Sequence, residues 1–161
     1  MQSPDAGLAK ILGGKVRARV CGLCWNESRL LLVNHEGLYG HSFWAPPGGG
    51  IEYGVSAPEQ LTKEFREETG LEVRVGDLLF TMEFIQPPLH AVELFFDVEM
   101  TGGSLRLGSD PEYQPDRQVI TDVRYFSEGE LDQIPEAHCH GLFRLAKTQA
   151  KIRALRGYHK I

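Results

Sequence analysis

The sequence predicts an α+β domain in which a mixed β-sheet is sandwiched between a short acidic helix and a C-terminal helix. Three observations predict it. Strand-like segments of alternating residues recur along the chain, most clearly over Ala91–Met100, where Val92, Leu94, Phe96 and Val98 alternate against Glu93, Phe95, Asp97 and Glu99. Short turns join such segments into hairpins, not into regular strand–helix–strand repeats. Helical spacing at length is confined to the stretch after Ser56 and to the region near the C-terminus.

The elements follow in order. Residues 1–14 carry weak signals and are expected to be flexible or to form a short helical turn before Gly13-Gly14, so the single domain is expected over 15–161. Lys15–Trp25 reads as a strand, Asn26-Glu27-Ser28 as a turn, and Arg29–Val33 as a mostly buried strand. Asn34–Ser42 reads as a loop, followed by a short strand that Pro46-Pro47 ends. A glycine turn leads into the acidic helix. Leu71–Val75 and Leu78–Ile85 read as two strands before Ala91–Met100. Thr101–Gln118 is a long polar loop rich in Gly and Pro, and loops of this length inside a domain are usually functional or mobile. Val119–Phe126 returns as a strand, Ser127 caps a short helix to Ile134, and a final helix is expected over Gly141–Leu155.

Composition narrows the function classes. A length of 161 residues suits one domain with a sizeable core. The net charge of −5 argues against bulk nucleic-acid binding. No apolar run reaches membrane-spanning length, and the N-terminus lacks a basic-then-apolar signal pattern, so neither a membrane nor a secretory role is expected. Three cysteines make a disulfide framework unattractive, and a reducing cytoplasm is the expected location.

The chemistry concentrates in one helix. Ser56 and Glu59 form a capping-box pattern, Pro58 falls in the first turn where its missing N–H is harmless, and Gly70 supplies the stop. At about 100° per residue, Ala57, Leu61 and Phe65 make an apolar stripe roughly 80° wide. Glu64 and Glu68 fall within about 20° of Ala57, and Glu67 lies just beyond. Three carboxylates crowded beside a buried stripe repel one another unless a cation neutralises them. That placement predicts a metal site of Glu64, Glu67 and Glu68 for a hard cation such as Mg²⁺ or Mn²⁺, and a backbone carbonyl at Gly48 or Gly49 can add a ligand because glycine lets the main chain approach closely.

The segment Gly49–Leu71 resembles the Nudix box, G-x5-E-x7-R-E-U-x-E-E-x-G-U, in which U is a bulky apolar residue. Gly49, Glu64, Phe65, Glu67, Glu68, Gly70 and Leu71 match at the family spacing. Val55 stands where the family has its first Glu, and Lys63 where it has Arg. The resemblance implies an α/β/α sandwich and a metal-dependent pyrophosphohydrolase with Mg²⁺ or Mn²⁺ as cofactor. Its substrate would be a small nucleotide, a nucleoside diphosphate linked to a group X: ADP-ribose, a nucleotide sugar or a nucleoside triphosphate. It also allows a homodimer. Glu64, Glu67, Glu68 and Lys63 are the residues expected to carry catalysis. The altered positions point to reduced activity, and a non-hydrolytic nucleotide-binding or regulatory domain of the same fold is the alternative.

Other candidates weigh less. Arg29 is a candidate for a phosphate or base, as are Arg17 and Arg19, against the commoner solvated strand face. Glu112, in the long loop, is a substitute for an acid that the family carries near the position of Gln118, and Tyr113 is a stacking candidate. Cys21 and Cys24 form a C-x-x-C, but alternation along a strand sends their sulfurs to opposite faces, which defeats zinc chelation.

Overall fold

The computed structural model describes Lys10 and residues 13–36, 41–108 and 120–161. Its elements are β1 (Val16–Asn26), β2 (Arg29–His35), β3 (Phe43–Ala45), β4 (Gly48–Gly50), α1 (Ala57–Thr69), β5 (Leu71–Gln86), β6 (Leu89–Gly103), β7 (Ile120–Phe126), α2 (Glu128–Gln133), α3 (Leu142–Leu145), α4 (Gln149–Ala154) and β8 (Gly157–Lys160), with a 3₁₀ turn at Glu136–His138. The sheet runs in the order β3-β2-β1-β6-β5-β8, with β4 added to β1 and β7 added to β2. It is mixed: β1 lies parallel to β6 with Val20 opposite Leu94, whereas β5 and β6 form a long antiparallel hairpin.

Alternation along the strands fills two cores. Leu31 and Val33 join Val20, Cys24, Phe96 and Val98 beneath Leu61 and Phe65 of α1. Leu30 and Leu32 point the other way, to a core of Cys21, Leu23, Trp44, Phe80, Phe95 and Phe126 covered by Leu131, Leu142, Phe143 and Ile152. Two helical layers therefore flank one sheet, the expected α/β/α arrangement. Phe65 is fully buried, and truncating such a phenylalanine to alanine costs about 3–5 kcal/mol. It approaches the sheet over Gly22, where an added Cβ would lie 2.8 Å from Phe65 Cζ and closer still to Cε2.

The structure corrects four expectations and adds one strand. The helix expected over Gly141–Leu155 is two short helices, α3 and α4, because Ala146 is extended and Thr148 starts a new helix by accepting the Lys151 N–H. The glycine turn contains a strand: Gly48, Gly49 and Gly50 pair with Cys21, Val20 and Arg19. The two strands expected between Leu71 and Ile85 are one, β5, interrupted by register shifts around Leu78 that absorb Gly76 and Asp77. Finally, β8 pairs in parallel with β5, from Phe80↔Gly157 to Glu83↔Lys160. The loop expected from Asn34 also begins later, because β2 extends to His35. Apart from Lys10, the turn expected within residues 6–12 lies outside the described residues, as do Glu112, Tyr113 and Gln118 of the long loop. No described helix is long and apolar enough to cross a membrane.

Candidate functional site

Local signals place α1. Ser56 caps it by accepting the Glu59 N–H, and the Glu59 carboxylate accepts the Ser56 N–H at 3.1 Å, completing the capping box. Gly70 ends the helix at φ 74°, a left-handed conformation that glycine adopts at no steric cost. Beyond it, the strand end of β6 leads to a segment whose Arg106 and Gly108 N–H groups donate to the carbonyls of Thr69 and Glu68, satisfying the last turn.

Between these ends, the acidic residues divide by burial. Glu68 is 2% exposed and Glu64 is 8% exposed, whereas Glu67, farther round the helix, is only partly buried. Both buried carboxylates face β4. Glu68 Oε2 accepts the Gly48 N–H at 3.1 Å. The Glu64 carboxylate lies where a side chain at position 49 would go: an added Cβ would sit 2.6 Å from its Cδ. Glycine at 49 thus makes room for the Glu64 carboxylate, while Glu68 meets the strand through the Gly48 N–H.

Gln60, which the sequence reading passed over, completes this face. It is 1% exposed and lies one turn before Glu64. Its Nε2 donates to Glu64 Oε1 at 2.8 Å, and its Oε1 accepts the Glu52 N–H at 3.3 Å. The signal was available: at about 100° per residue, Gln60 falls between Glu67 and Glu64 on the helix wheel. Lys63 lies on the exposed side of the same turn. Its Nζ is 2.7 Å from Glu52 Oε1, and this bond raises its pKa, with Glu67 and Glu64 adding smaller favourable fields.

As a donor set these residues suit a hard divalent cation: the buried groups are carboxylate oxygens beside a backbone strand, with no sulfur or imidazole among them. Among the described residues no three His, Cys, Asp or Glu side chains close into a cage. The arrangement is a pair of buried carboxylates, with the partly buried Glu67 next to Glu68 on the helix.

The remaining candidates distribute as follows. Arg17 reaches β4, its Nη2 3.6 Å from where a Gly50 Cβ would lie, and Arg19 pairs across to Gly50. Arg29 is not brought to the glutamates. It pairs with Asn26 at the far end of the β1–β2 hairpin, and the strand from Val20 to Asn26 spans about 20 Å at the ordinary rise per residue. Trp44 is a core residue, its ring edge-on to Phe126 at 4.7 Å, with the Arg124 guanidinium over both rings. Cys21 and Cys24 do lie in different cores on opposite faces of the sheet, and burial raises the pKa of both thiols.

One polar cluster was not foreseen. Glu93, 6% exposed, accepts from His140 Nε2 at 3.0 Å and from the Cys21 thiol at 3.3 Å. The Leu142 N–H donates to His140 Nδ1, which puts the imidazole proton on Nε2. Burial opposes the Glu93 charge, but His140, Arg19 and the Cys21 hydrogen bond outweigh it and hold the carboxyl down at about 2. Glu93 sits on the sheet face opposite α1, with Cys21.

Comparison with known proteins identifies the family and the fold. Residues 15–145 match the NUDIX domain model. A curated relative, the ADP-ribose pyrophosphatase of Methanocaldococcus jannaschii, is 30% identical over 93 residues, which cover 56% of this chain and 55% of that protein. The chain spans about half the length of the curated relatives it matches. Among solved structures, a UDP-X diphosphatase superposes with a TM-score of 0.62 at 22% identity, over 96% of this chain and 74% of that one. An ADP-ribose pyrophosphatase from Streptococcus suis superposes with a TM-score of 0.59 at 19% identity, over 89% and 98% of the two chains. At these identities the superpositions establish the fold.

Proposed function

The chain belongs to the NUDIX domain family, and we propose that it is a metal-dependent pyrophosphohydrolase that cleaves the diphosphate of a small nucleoside diphosphate-X, of the ADP-ribose, nucleotide-sugar or nucleoside-triphosphate class. The observation that carries this reading is the convergence of two buried carboxylates, Glu64 and Glu68, on the backbone of the glycine strand, a set of hard oxygen donors that suits a divalent cation. The curated ADP-ribose pyrophosphatase relative supports the substrate class.

In this reading Glu64 and Glu68 hold Mg²⁺ or Mn²⁺, with Glu67 next to Glu68 and the Gly48 carbonyl as a further oxygen. When bound there, such a cation would supply charge to neutralise the diphosphate oxygens and to lower the pKa of the attacking water. The chain's own part is positional. The Gly48 N–H fixes Glu68, Gln60 fixes Glu64, and the absence of a side chain at Gly49 makes room for the Glu64 carboxylate. Arg17, beside Gly50, supplies positive charge toward the same strand. Lys63 acts through Glu52, tying the loop before α1 to the helix.

The test is a panel of ADP-ribose, UDP-sugars and nucleoside triphosphates incubated with Mg²⁺ or Mn²⁺ in ¹⁸O-labelled water, with products read by mass spectrometry. The expected products are two phosphate-bearing fragments, one carrying ¹⁸O, from at least one member. Calorimetric binding of a member with no product from any would instead identify a nucleotide-binding domain that does not hydrolyse.

A further inference from the structure

We propose that Gln60 is a positioning residue that presents Glu64 to the divalent cation; this rests on the metal-site reading above and adds to it a residue at a position the family motif leaves unspecified. A buried primary amide is costly unless its donors and acceptor are used. Gln60 is 1% exposed, and an apolar side chain of the same length would pack there without that cost. The amide is spent on orientation. A backbone N–H can only donate, so the Glu52 N–H fixes which end of the amide is oxygen and turns Nε2 toward Glu64. The one-turn spacing from Gln60 to Glu64 puts both side chains on the same helix face, the geometry for a side-chain pair.

The consequence is a rigid carboxylate. Glu64 Oε1 is held at 2.8 Å by an amide that is itself held by the main chain of the preceding loop. Partners that orient a metal ligand typically change metal affinity or activity 10–100-fold when removed. Glu52 is engaged twice, through its N–H with Gln60 and through its carboxylate with Lys63, so the loop and the helix move as one unit around Glu64.

The experiment compares the full chain with Gln60→Met and Glu68→Gln, measuring Mn²⁺ affinity from free Mn²⁺ by electron paramagnetic resonance. Gln60→Met should weaken Mn²⁺ binding about tenfold or more, and its turnover deficit should close as Mn²⁺ is raised to saturation, which a merely misfolded site would not do. Wild-type Mn²⁺ affinity in Gln60→Met, with Glu68→Gln weakened, overturns the role of Gln60 alone. Unchanged affinity in Glu68→Gln overturns the metal-site reading and this proposal with it. Should Gln60→Met fail to fold, Mg²⁺ titration of the ¹⁵N-labelled wild-type protein decides: the Gln60 side-chain amide signals shift if it orients a bound ligand, and stationary signals overturn the proposal.

Discussion

The ammonium of Lys63 is bonded to Glu52, three residues before Val55, at 2.7 Å. The two departures from the family box are therefore linked in space. The lysine that replaces arginine meets an acid on the same loop that lacks the family glutamate. Lysine offers a point charge where arginine offers a fork, and one carboxylate oxygen is what it engages.

That pair is exposed, with side chains 42% and 52% accessible, so its worth to stability is small. A double-mutant cycle with Glu52→Gln and Lys63→Met, read by urea unfolding, should give only a weak coupling, because solvent screens an exposed pair. The same variants should lower turnover more than stability, because the pair fixes the loop that orients Gln60. A strong coupling would instead make it a structural bridge.

Gly48 and Gly49 separate fold from function. An added Cβ at Gly48 would lie 2.9 Å from Cys21 Cα and closer still to the Val20 carbonyl, both of them backbone. Gly48→Ala should cost at least about 2 kcal/mol of stability by thermal unfolding. At Gly49 the obstacle is the Glu64 carboxylate. Gly49→Ala should keep the fold, with an unfolding midpoint near that of the wild type, and lose metal affinity and turnover about tenfold or more.

Acid should unfold the protein in two stages. Burial, with Arg19 adding to it, holds His35 at about 4, below its ordinary 6.5. The unfolded chain binds that proton first, so the stability involved is complete above pH 6.5 and is lost as pH falls toward 4. That loss is on the order of 3 kcal/mol. Glu93, held at about 2 against an ordinary 4.5, contributes stability present above pH 4.5 and lost as pH falls toward 2, on the order of 3 kcal/mol. Urea unfolding across pH 2–8 should show His35→Asn flattening the upper part of the acid limb. Glu93→Gln should be less stable at neutral pH, because His140 and Cys21 lose a charged partner, and should flatten the lower part.

What the sequence made legible was local. The ends of α1 were readable because Ser56, Glu59 and Gly70 act within one turn, and the burial of Glu64 and Glu68 followed from their angle to Leu61 and Phe65. Non-local pairing was hidden. Three consecutive glycines carry no alternation that would mark β4, and its partners lie in β1. β8 is four residues long and gains its place by pairing with β5. The break between α3 and α4 was masked by continued helical spacing, although Thr148 was a readable cap. Glu93 and His140 belong to distant segments, and only the sheet brings them together. Glu112 and Tyr113 lie outside the described residues.

The central claim is that Glu68 holds the catalytic cation, and the most direct measurement is the steady-state turnover of Glu68→Gln beside the wild type on the best substrate of the panel, at saturating Mg²⁺ or Mn²⁺. The substitution keeps the side-chain shape and an acceptor for the Gly48 N–H, but removes the charge. A fall in kcat of at least about a hundredfold, with the unfolding midpoint preserved, is the predicted result. Turnover equal to that of the wild type would contradict it.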